Sequence, residues 1–457
     1  MKTVNVSAVL DEGRWTGYQK LLIFGTALTI ILDGVDNQLL PNALPRLIKD
    51  WGMPREAFLT ALSSGPFGMM IGGAVGGYLG DRLGRRTALL ASVVTFAALT
   101  LALAWVETVN QLTVLRFLAG VGLGGAMPNA AVLASEYVPR RQRPFAVTLT
   151  IVCIPLGGVL AARLAREIIP QHGWEPLFMA GGIVPIVLAV LLFFMLPESP
   201  RYLASRRERW PELTRMLRRM GHVVADDVVY VEDDSVAKVA AAREAGRHHA
   251  SIGELFAPAH LRDTIALCLS FFFCLMVNYI GILLIPVMFT GAGFEQGAAN
   301  RVLEYFNYGG VAGAVIGALV IQRLGSRVAM LGMSALAVVV GLTLAGTPIA
   351  APGSVALMTL MVLGGALLNG VQTTMYALAA QVYPPEIRGT GVGTAVAFGR
   401  IGNVLAAWVG NRALRLGGTP GYFVSWSIAM GIVLLTLALM TRHIPRSRDL
   451  ASPARTA

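Results

Sequence analysis

Two carboxylates, Asp33 and Asp36, lie three residues apart inside Leu21–Leu40, a stretch otherwise apolar enough to cross a bilayer. A carboxylate at that depth costs roughly 2.5–3.5 kcal/mol on insertion scales, so it marks a site for protons, ions or a polar substrate. The i, i+3 spacing places both side chains on one helix face, where they can line one cavity. Two cations sit at matching depth. At ~1.5 Å per residue, Arg116 comes about 27 Å from the cytoplasmic end of its span, against roughly 19 Å for Asp33 and 24 Å for Asp36. An Asp–Arg pair can therefore form where these helices adjoin, as a structural pair or as a coupling element. Arg400, in Phe398-Gly-Arg400-Ile-Gly402-Asn403, comes about 16 Å into its own span, near the midplane. Its guanidinium stays charged there and its planar fork suits a carboxylate, whether of a bound anion or of a structural partner.

The elements that carry these residues follow from composition. The chain has 457 residues, 55% hydrophobic and only 14% charged, with a mean hydropathy of +0.63. Soluble domains carry roughly 25% charged residues, so this is an integral membrane protein. Candidate spans are Lys20–Leu40, Phe58–Leu79, Ala88–Val106, Gln111–Ala134, Val147–Ile168, Leu177–Leu196, Thr264–Phe289, Val302–Ile321, Val328–Leu344, Ala356–Val382, Gly391–Val409 and Phe423–Thr441. Most approach the ~20 residues that a bilayer core requires. The net charge of +11 is a topology signal and not a nucleic-acid footprint. Most of the 37 Lys and Arg fall in the two tails and in the loops after the even-numbered spans. That bias puts both termini and the long middle loop in the cytoplasm. The first twenty residues are too polar for a signal peptide, so the first span is expected to be retained.

Cys153, Cys268 and Cys274 fall in or beside apolar spans, where cysteine acts as a small hydrophobe, and no metal-ligand spacing is present. The six histidines lie in loops or tails, with His248 and His249 adjacent in the middle loop. No nucleophile–base pair or cofactor motif stands out, so neither an enzyme nor a cofactor is expected.

The chain repeats itself. Gly68, Gly72 and Gly76 recur 241 positions later as Gly309, Gly313 and Gly317, and Arg82, Gly84 and Arg86 as Arg323, Gly325 and Arg327. At an offset of 245, Pro139 and Arg143 meet Pro384 and Arg388. The expectation is two parallel six-span halves, 1–196 and 264–457, joined by a cytoplasmic linker, 197–263, with the substrate site between the halves near the midplane. In the linker, Leu213, Met216, Leu217 and Met220 recur at helical spacing among arginines, which predicts a short helix on the cytoplasmic leaflet. The acidic run Asp226–Asp234 reads as loop.

The loop after span 2 is Gly77-Tyr-Leu-Gly80-Asp81-Arg82-Leu-Gly84-Arg85-Arg86. Gly84 permits a tight turn, and Asp81 can pair with arginines or cap a helix terminus. With the twelve spans and the repeat, this closely resembles the signature of the major facilitator superfamily. The resemblance implies an all-α membrane fold and a cytoplasmic gating latch formed by Gly77, Asp81, Arg82, Gly84, Arg85 and Arg86. The second copy departs from it, with Gln322 in place of the acid and Ser326 in place of Arg85. Glu136 with Arg143, and Glu386 with Arg388, are the expected gate pairs at the mouths of spans 4 and 10. Gly120, Gly122, Gly124 and Gly125 superficially suggest a nucleotide loop, but in an apolar stretch with no preceding strand they read as close helix packing.

Further polar or aromatic candidates for the cavity are Asn37, Gln38, Asn129, Asn278, Tyr279, Tyr305, Asn307, Asn369, Gln372, Thr373 and Tyr376, any of which can equally be interhelix glue. Asp33-Gly-Val-Asp36, Pro197-Glu-Ser-Pro-Arg-Tyr-Leu203, and Arg388 followed by Arg400 resemble the aromatic acid:proton symporters of bacterial inner membranes. The resemblance implies a multi-pass importer of benzoates or hydroxybenzoates, expected to work as a monomer. Carried over position by position, it makes Asp33 and Asp36 the candidates for proton handling and Arg400 the candidate for the substrate carboxylate. By depth and side-chain chemistry, Arg116 is added as a coupling residue and Asn278, Tyr279, Asn307, Gln372 and Tyr376 as substrate contacts. The Pro-Glu-Ser-Pro-Arg element is shared with sugar porters, so sugar or another organic acid is the rival cargo. Drug/proton antiport and a transporter-like sensor are the remaining alternatives.

Overall fold

The computed structural model describes residues 2–13, 15–222, 224–225, 228–231, 252–258, 260–347, 354–383 and 387–444. Over these the helices are α1 (Val6–Glu12), α2 (Gly17–Trp51), α3 (Leu59–Leu83), α4 (Arg85–Ala102), α5 (Val109–Glu136), α6 (Arg143–His172), α7 (Glu175–Met195), α8 (Pro200–Ala204), α9 (Trp210–Arg219), α10 (Ile252–Leu255), α11 (Leu261–Gly291), α12 (Gln296–Leu324), α13 (Ser326–Gly346), α14 (Val355–Val382) and α15 (Arg388–Leu439). Ten helical stretches among the described residues are long and apolar enough to cross a membrane. Their outer faces suit lipid. On α7, Val187, Val190, Leu191 and Phe194 are all more than half exposed at helical spacing, which places an apolar stripe outward.

α15 is two helices in one. Gly418 takes a positive φ of 57° inside it, followed by Pro420. Before that break, Gly402 packs on Phe272 and Gly410 on Ile280. After it, the Tyr422 hydroxyl donates to the Ile280 carbonyl, and Thr436 bonds Ser270. The chain therefore runs up α11 and back down it.

Glycines let the helices close. A Cβ on Gly68 would stand 2.1 Å from the Phe117 carbonyl oxygen, and one on Gly72 would stand 2.0 Å from that of Val121. The same contacts recur between α12 and α14: Gly309 faces the Val362 oxygen and Gly313 the Ala366 oxygen, each at 1.9 Å. The α3 glycines map onto α12 at the offset of 241, and their α5 partners map onto α14 at 245.

The linker differs from expectation in two ways. Leu213, Met216, Leu217 and Met220 are buried against Val6 and Leu10 of α1, so the apolar face of α9 packs on protein and not on the leaflet. Val228–Val231, within the acidic run read as loop, is a strand (β2) pairing in parallel with β1 (Lys2–Asn5). Among the described residues the fold is thus all-α apart from this two-stranded ribbon. Alternating valines with Tyr230 supply the β-propensity that the neighbouring acids obscured. Helix α2 also continues past Leu40, through Pro41 and Pro45, to Trp51.

Because backbone blocks a Cβ at Gly72, Gly72→Ala should destabilise the protein by about 1–3 kcal/mol. Gly332, also helical, has nothing within 4 Å of its Cβ position, and Gly332→Ala should be neutral or stabilising by up to ~1 kcal/mol. Thermal unfolding of the two variants in detergent, compared with the parent, reads the difference.

Candidate functional site

The four chemistry-bearing side chains separate into two environments. Arg116 Nη1 on α5 donates to Asp36 Oδ2 at 3.2 Å and to the Asp36 carbonyl at 3.4 Å. The Thr100 hydroxyl of α4 donates to the other carboxylate oxygen. Both charged residues are buried. Asp36 is thus held by groups from two neighbouring helices, and the pair anticipated from depth is present.

Asp33 and Arg400 instead line a common cavity of about 90 Å³ between residues on either side of the linker. A water needs roughly 10–15 Å³ on this measure, so the space holds several. Asp33 is buried, and its Oδ1 has no hydrogen-bond partner among the described residues. One Arg400 nitrogen, Nη1, donates to the Met69 carbonyl of α3. Gly73 makes room for this guanidinium, since a Cβ there would lie 3.0 Å from it. Gly65, two turns earlier, lies 3.4 Å from Arg116 by the same measure. One glycine face of α3 therefore seats both arginines.

Of the other expected substrate contacts, Tyr279, Asn307, Gln372 and Tyr376 line the cavity, as do Asn37, Gln38 and Asn369. Several are already engaged across the seam. Gln38 and Asn307 exchange two amide hydrogen bonds, of 3.0 and 2.8 Å. Asn37 Nδ2 donates to the Tyr279 hydroxyl at 3.0 Å. Tyr376 stacks edge-on against Phe271, with ring centroids 5.2 Å apart.

Four candidates fall elsewhere. Asn278 is buried but is not in the cavity wall; α11 presents Leu275, Tyr279 and Ile282 there, and Asn278 is one residue, about 100°, around the helix. Tyr305 is exposed on the outer surface beside Val355 and Leu363. Asn129 belongs to the latch: its amide donates to the Gly76 and Gly125 carbonyls and accepts from Arg85. Thr373 bonds its own helix at Asn369.

The latch residues gather at the end of the bundle that carries α1, α8 and α9. Asp81 pairs with Arg85, and the Arg82 guanidinium stacks on Tyr78 with 4.7 Å to the centroid. Gly77 has open space around its Cβ position. Glu198 organises the turn. It accepts from the Arg86 and Thr87 amides at the start of α4 and from the Thr87 hydroxyl. Gly84 has φ 101°, and a Cβ on it would strike the Glu198 carboxylate at 2.3 Å. Glu136 accepts from the Ser199 hydroxyl, and Arg143 pairs with Asp11 of α1. These contacts all lie within residues 11–199, so Glu136 and Arg143 do not pair with each other. Arg388 donates to the Tyr383 carbonyl at 3.4 Å; its expected partner Glu386 lies outside the described residues.

Sequence reading missed Thr100, Glu198, Asn403 of the cavity wall, and a third intramembrane carboxylate, Glu304. Glu304 was findable by the rule that singled out Asp33, since it too interrupts an apolar span. Thr100 and Asn403 carry no such signal, because uncharged polar residues are common in membrane helices.

Comparisons with known proteins identify the family. Residues 55–446 match the family model described as sugar (and other) transporter. The gallate transporter of Pseudomonas putida is 32% identical over 99% of this chain and 98% of its own length. The 4-hydroxybenzoate transporter PcaK of Pseudomonas aeruginosa is 34% identical over 91% of each chain. Among solved structures, a partially occluded, inward-open xylose transporter XylE from E. coli superposes with a TM-score of 0.74 at 19% identity, covering 94% of this chain and 99% of that one; this likeness concerns the fold. The chain is a membrane transporter and not an enzyme: it belongs to the sugar (and other) transporter family of the major facilitator superfamily and, within it, resembles the aromatic-acid symporters.

Proposed function

We propose that this protein is a proton-coupled symporter that imports an aromatic carboxylate, such as a benzoate or hydroxybenzoate, across the bacterial inner membrane by alternating access. On this reading twelve spans form two six-helix halves, 1–196 and 264–457, with both termini cytoplasmic, and the working unit is a monomer. The observation that carries it is the pairing of an unsatisfied Asp33 carboxylate oxygen with Arg400 in one buried cavity between the halves. The names of the gallate and 4-hydroxybenzoate relatives support the aromatic acid over a sugar. A guanidinium beside a carboxylate also suits an anion plus a proton better than a neutral polyol.

The chemistry follows from charge balance. In the empty cavity Arg400 and Asp33 offset each other. A substrate carboxylate takes the guanidinium bidentately, which leaves the Asp33 charge without compensation in buried surroundings. A proton on Asp33 removes that charge, and the doubly loaded cavity is neutral overall. Tyr279 and Tyr376 offer ring faces or hydroxyls to an aromatic body, and Asn307 and Gln372 offer amides to its polar substituents. The Asp36 carboxylate, bonded at both oxygens by Thr100 and Arg116, keeps the Asp33 turn of α2 in place. Gln38–Asn307 and Asn37–Tyr279 tie occupancy of the cavity to the contact between halves. Only a ligand that prefers one state biases that contact.

The test is uptake of radiolabelled 4-hydroxybenzoate into proteoliposomes under an imposed inward proton gradient, with benzoate, protocatechuate, glucose and succinate as competitors. Gradient-driven accumulation blocked by the aromatic acids supports the reading; competition by glucose alone replaces the cargo. In the same assay Asp33→Asn should abolish uphill accumulation while retaining substrate exchange, and unchanged accumulation would remove Asp33 from proton handling. Arg400→Lys keeps the charge but loses the fork. Its apparent affinity should fall about tenfold or more, as expected when a charge-assisted hydrogen bond worth roughly 1.5–3 kcal/mol is lost.

A further inference from the structure

We infer that Glu304 and Arg166 form the lock that holds the two halves together at the end opposite the linker, and that loss of the Glu304 charge releases it. The inference rests on the alternating-access reading above. Glu304 of α12 is buried, 3% exposed. Arg166 Nη1 of α6 donates to its Oε2 at 2.7 Å, and the Tyr308 hydroxyl donates to its Oε1 at 3.1 Å. Among the described residues this is the ion pair that joins a residue before the linker to one after it.

The two partners are not equivalent. Arg166 also holds Glu167 of its own helix, with Nε at 3.2 Å and Nη2 at 3.0 Å. When the halves part, Arg166 keeps a carboxylate, whereas Glu304 keeps only the Tyr308 hydroxyl. Removing one partner of a buried pair leaves an uncompensated charge, which is the strongly destabilising case. A charged Glu304 therefore favours the closed seam. A neutral side chain at position 304 has no such need of Arg166. A cleft lined by Arg166, Glu167, Glu295 and Arg301 opens beside the pair and brings water to it.

The surrounding charges leave Glu304 in control. On α12 itself these are Tyr308 and Arg301, with Glu295 just before the helix. From α6 come Arg166, Glu167 and Arg163, the last hydrogen-bonded to Tyr308. α14 carries no charged side chain, α11 and α13 carry theirs near the linker end, and at this end of α2 Arg46 pairs with Asp50 beside Lys49. Beside the Arg163–Tyr308 hydrogen bond, two neutral contacts cross the seam here: Gln296 Nε2 donates to the Asn42 carbonyl at 2.9 Å, and Gln38 bonds Asn307. They hold the seam but do not respond to charge.

The experiment places spin labels at Gln171→Cys and Val355→Cys, exposed positions at this end on α6 and α14, with Cys153, Cys268 and Cys274 replaced by Ala. Double electron–electron resonance in lipid nanodiscs reads the short and long distances. Glu304→Gln should raise the ratio of long to short on the order of tenfold, and Arg166→Gln should do so in a separate protein should the first fail to fold. The double variant should open no further than either single, because both act through one pair. Two distances in the parent with no shift in either single variant would overturn the lock and leave alternating access standing. One distance in the parent, with and without substrate and proton gradient, would overturn alternating access and the lock with it.

Discussion

A charge buried in a membrane protein must find a partner on another segment, and most of this structure's specific contacts meet that demand. Asp36 of α2 is held by Arg116 of α5 and Thr100 of α4. Glu198 is spent on the amides that open α4. Asp263 of α11 receives both the amide and the hydroxyl of Thr441, each at 2.7 Å. Such pairs add little net stability over an apolar alternative, but each is costly to break one-sidedly, so they select one arrangement of helices. Asp33 stands apart. One of its oxygens is unsatisfied, and it faces a cavity with a cation on the opposite wall. A site able to gain and lose a proton or an anion has to be the place where the balance is left incomplete.

Close backbone approach makes the pairing possible. The α3 glycines that meet α5 carbonyls bring Arg116 within reach of α2, and Gly73 on the same helix seats Arg400 from the other side of the seam. Dispersion at such contacts replaces the hydrophobic drive that is absent between helices in lipid. The corresponding glycines of α12 do the same against α14. Across the seam, apolar packing within one shared buried cluster is joined by polar contacts, among them the Gln38–Asn307 amide pair, the Asn37–Tyr279 hydrogen bond and the Arg166–Glu304 ion pair.

The assembly at the linker end is more built than a solvated connector. α1, α8, α9 and the β1–β2 ribbon share a buried apolar cluster, and Arg143–Asp11 and Glu136–Ser199 fasten it to the mouths of α5 and α6. The latch motif is set within this frame, with Glu198 capping the turn that Gly84 makes possible.

Composition, the spacing of charge and the repeat offsets were enough to read a two-half membrane protein and the depth match of Asp36 with Arg116; the superfamily came from the resemblance of the latch motif, and Asp33, Arg400, Tyr279, Asn307, Gln372 and Tyr376 were among the candidates that do line the cavity. These are properties of period and depth along single helices, which a linear sequence records. What it did not record is rotation and partnership. Asp33 and Asp36 share a face by spacing, yet neighbouring helices satisfy one and leave the other open to the cavity. Asn278 and Tyr305 have the right chemistry at the right depth, but the helix azimuth turns one out of the cavity wall and the other outward. The apolar face of α9 had the pattern of a leaflet-bound helix, and only its burial in a cluster shared with α1, α8 and β2 made it a core face. Sequence period specifies that a helix has a face; which neighbour that face meets is decided when distant segments pack.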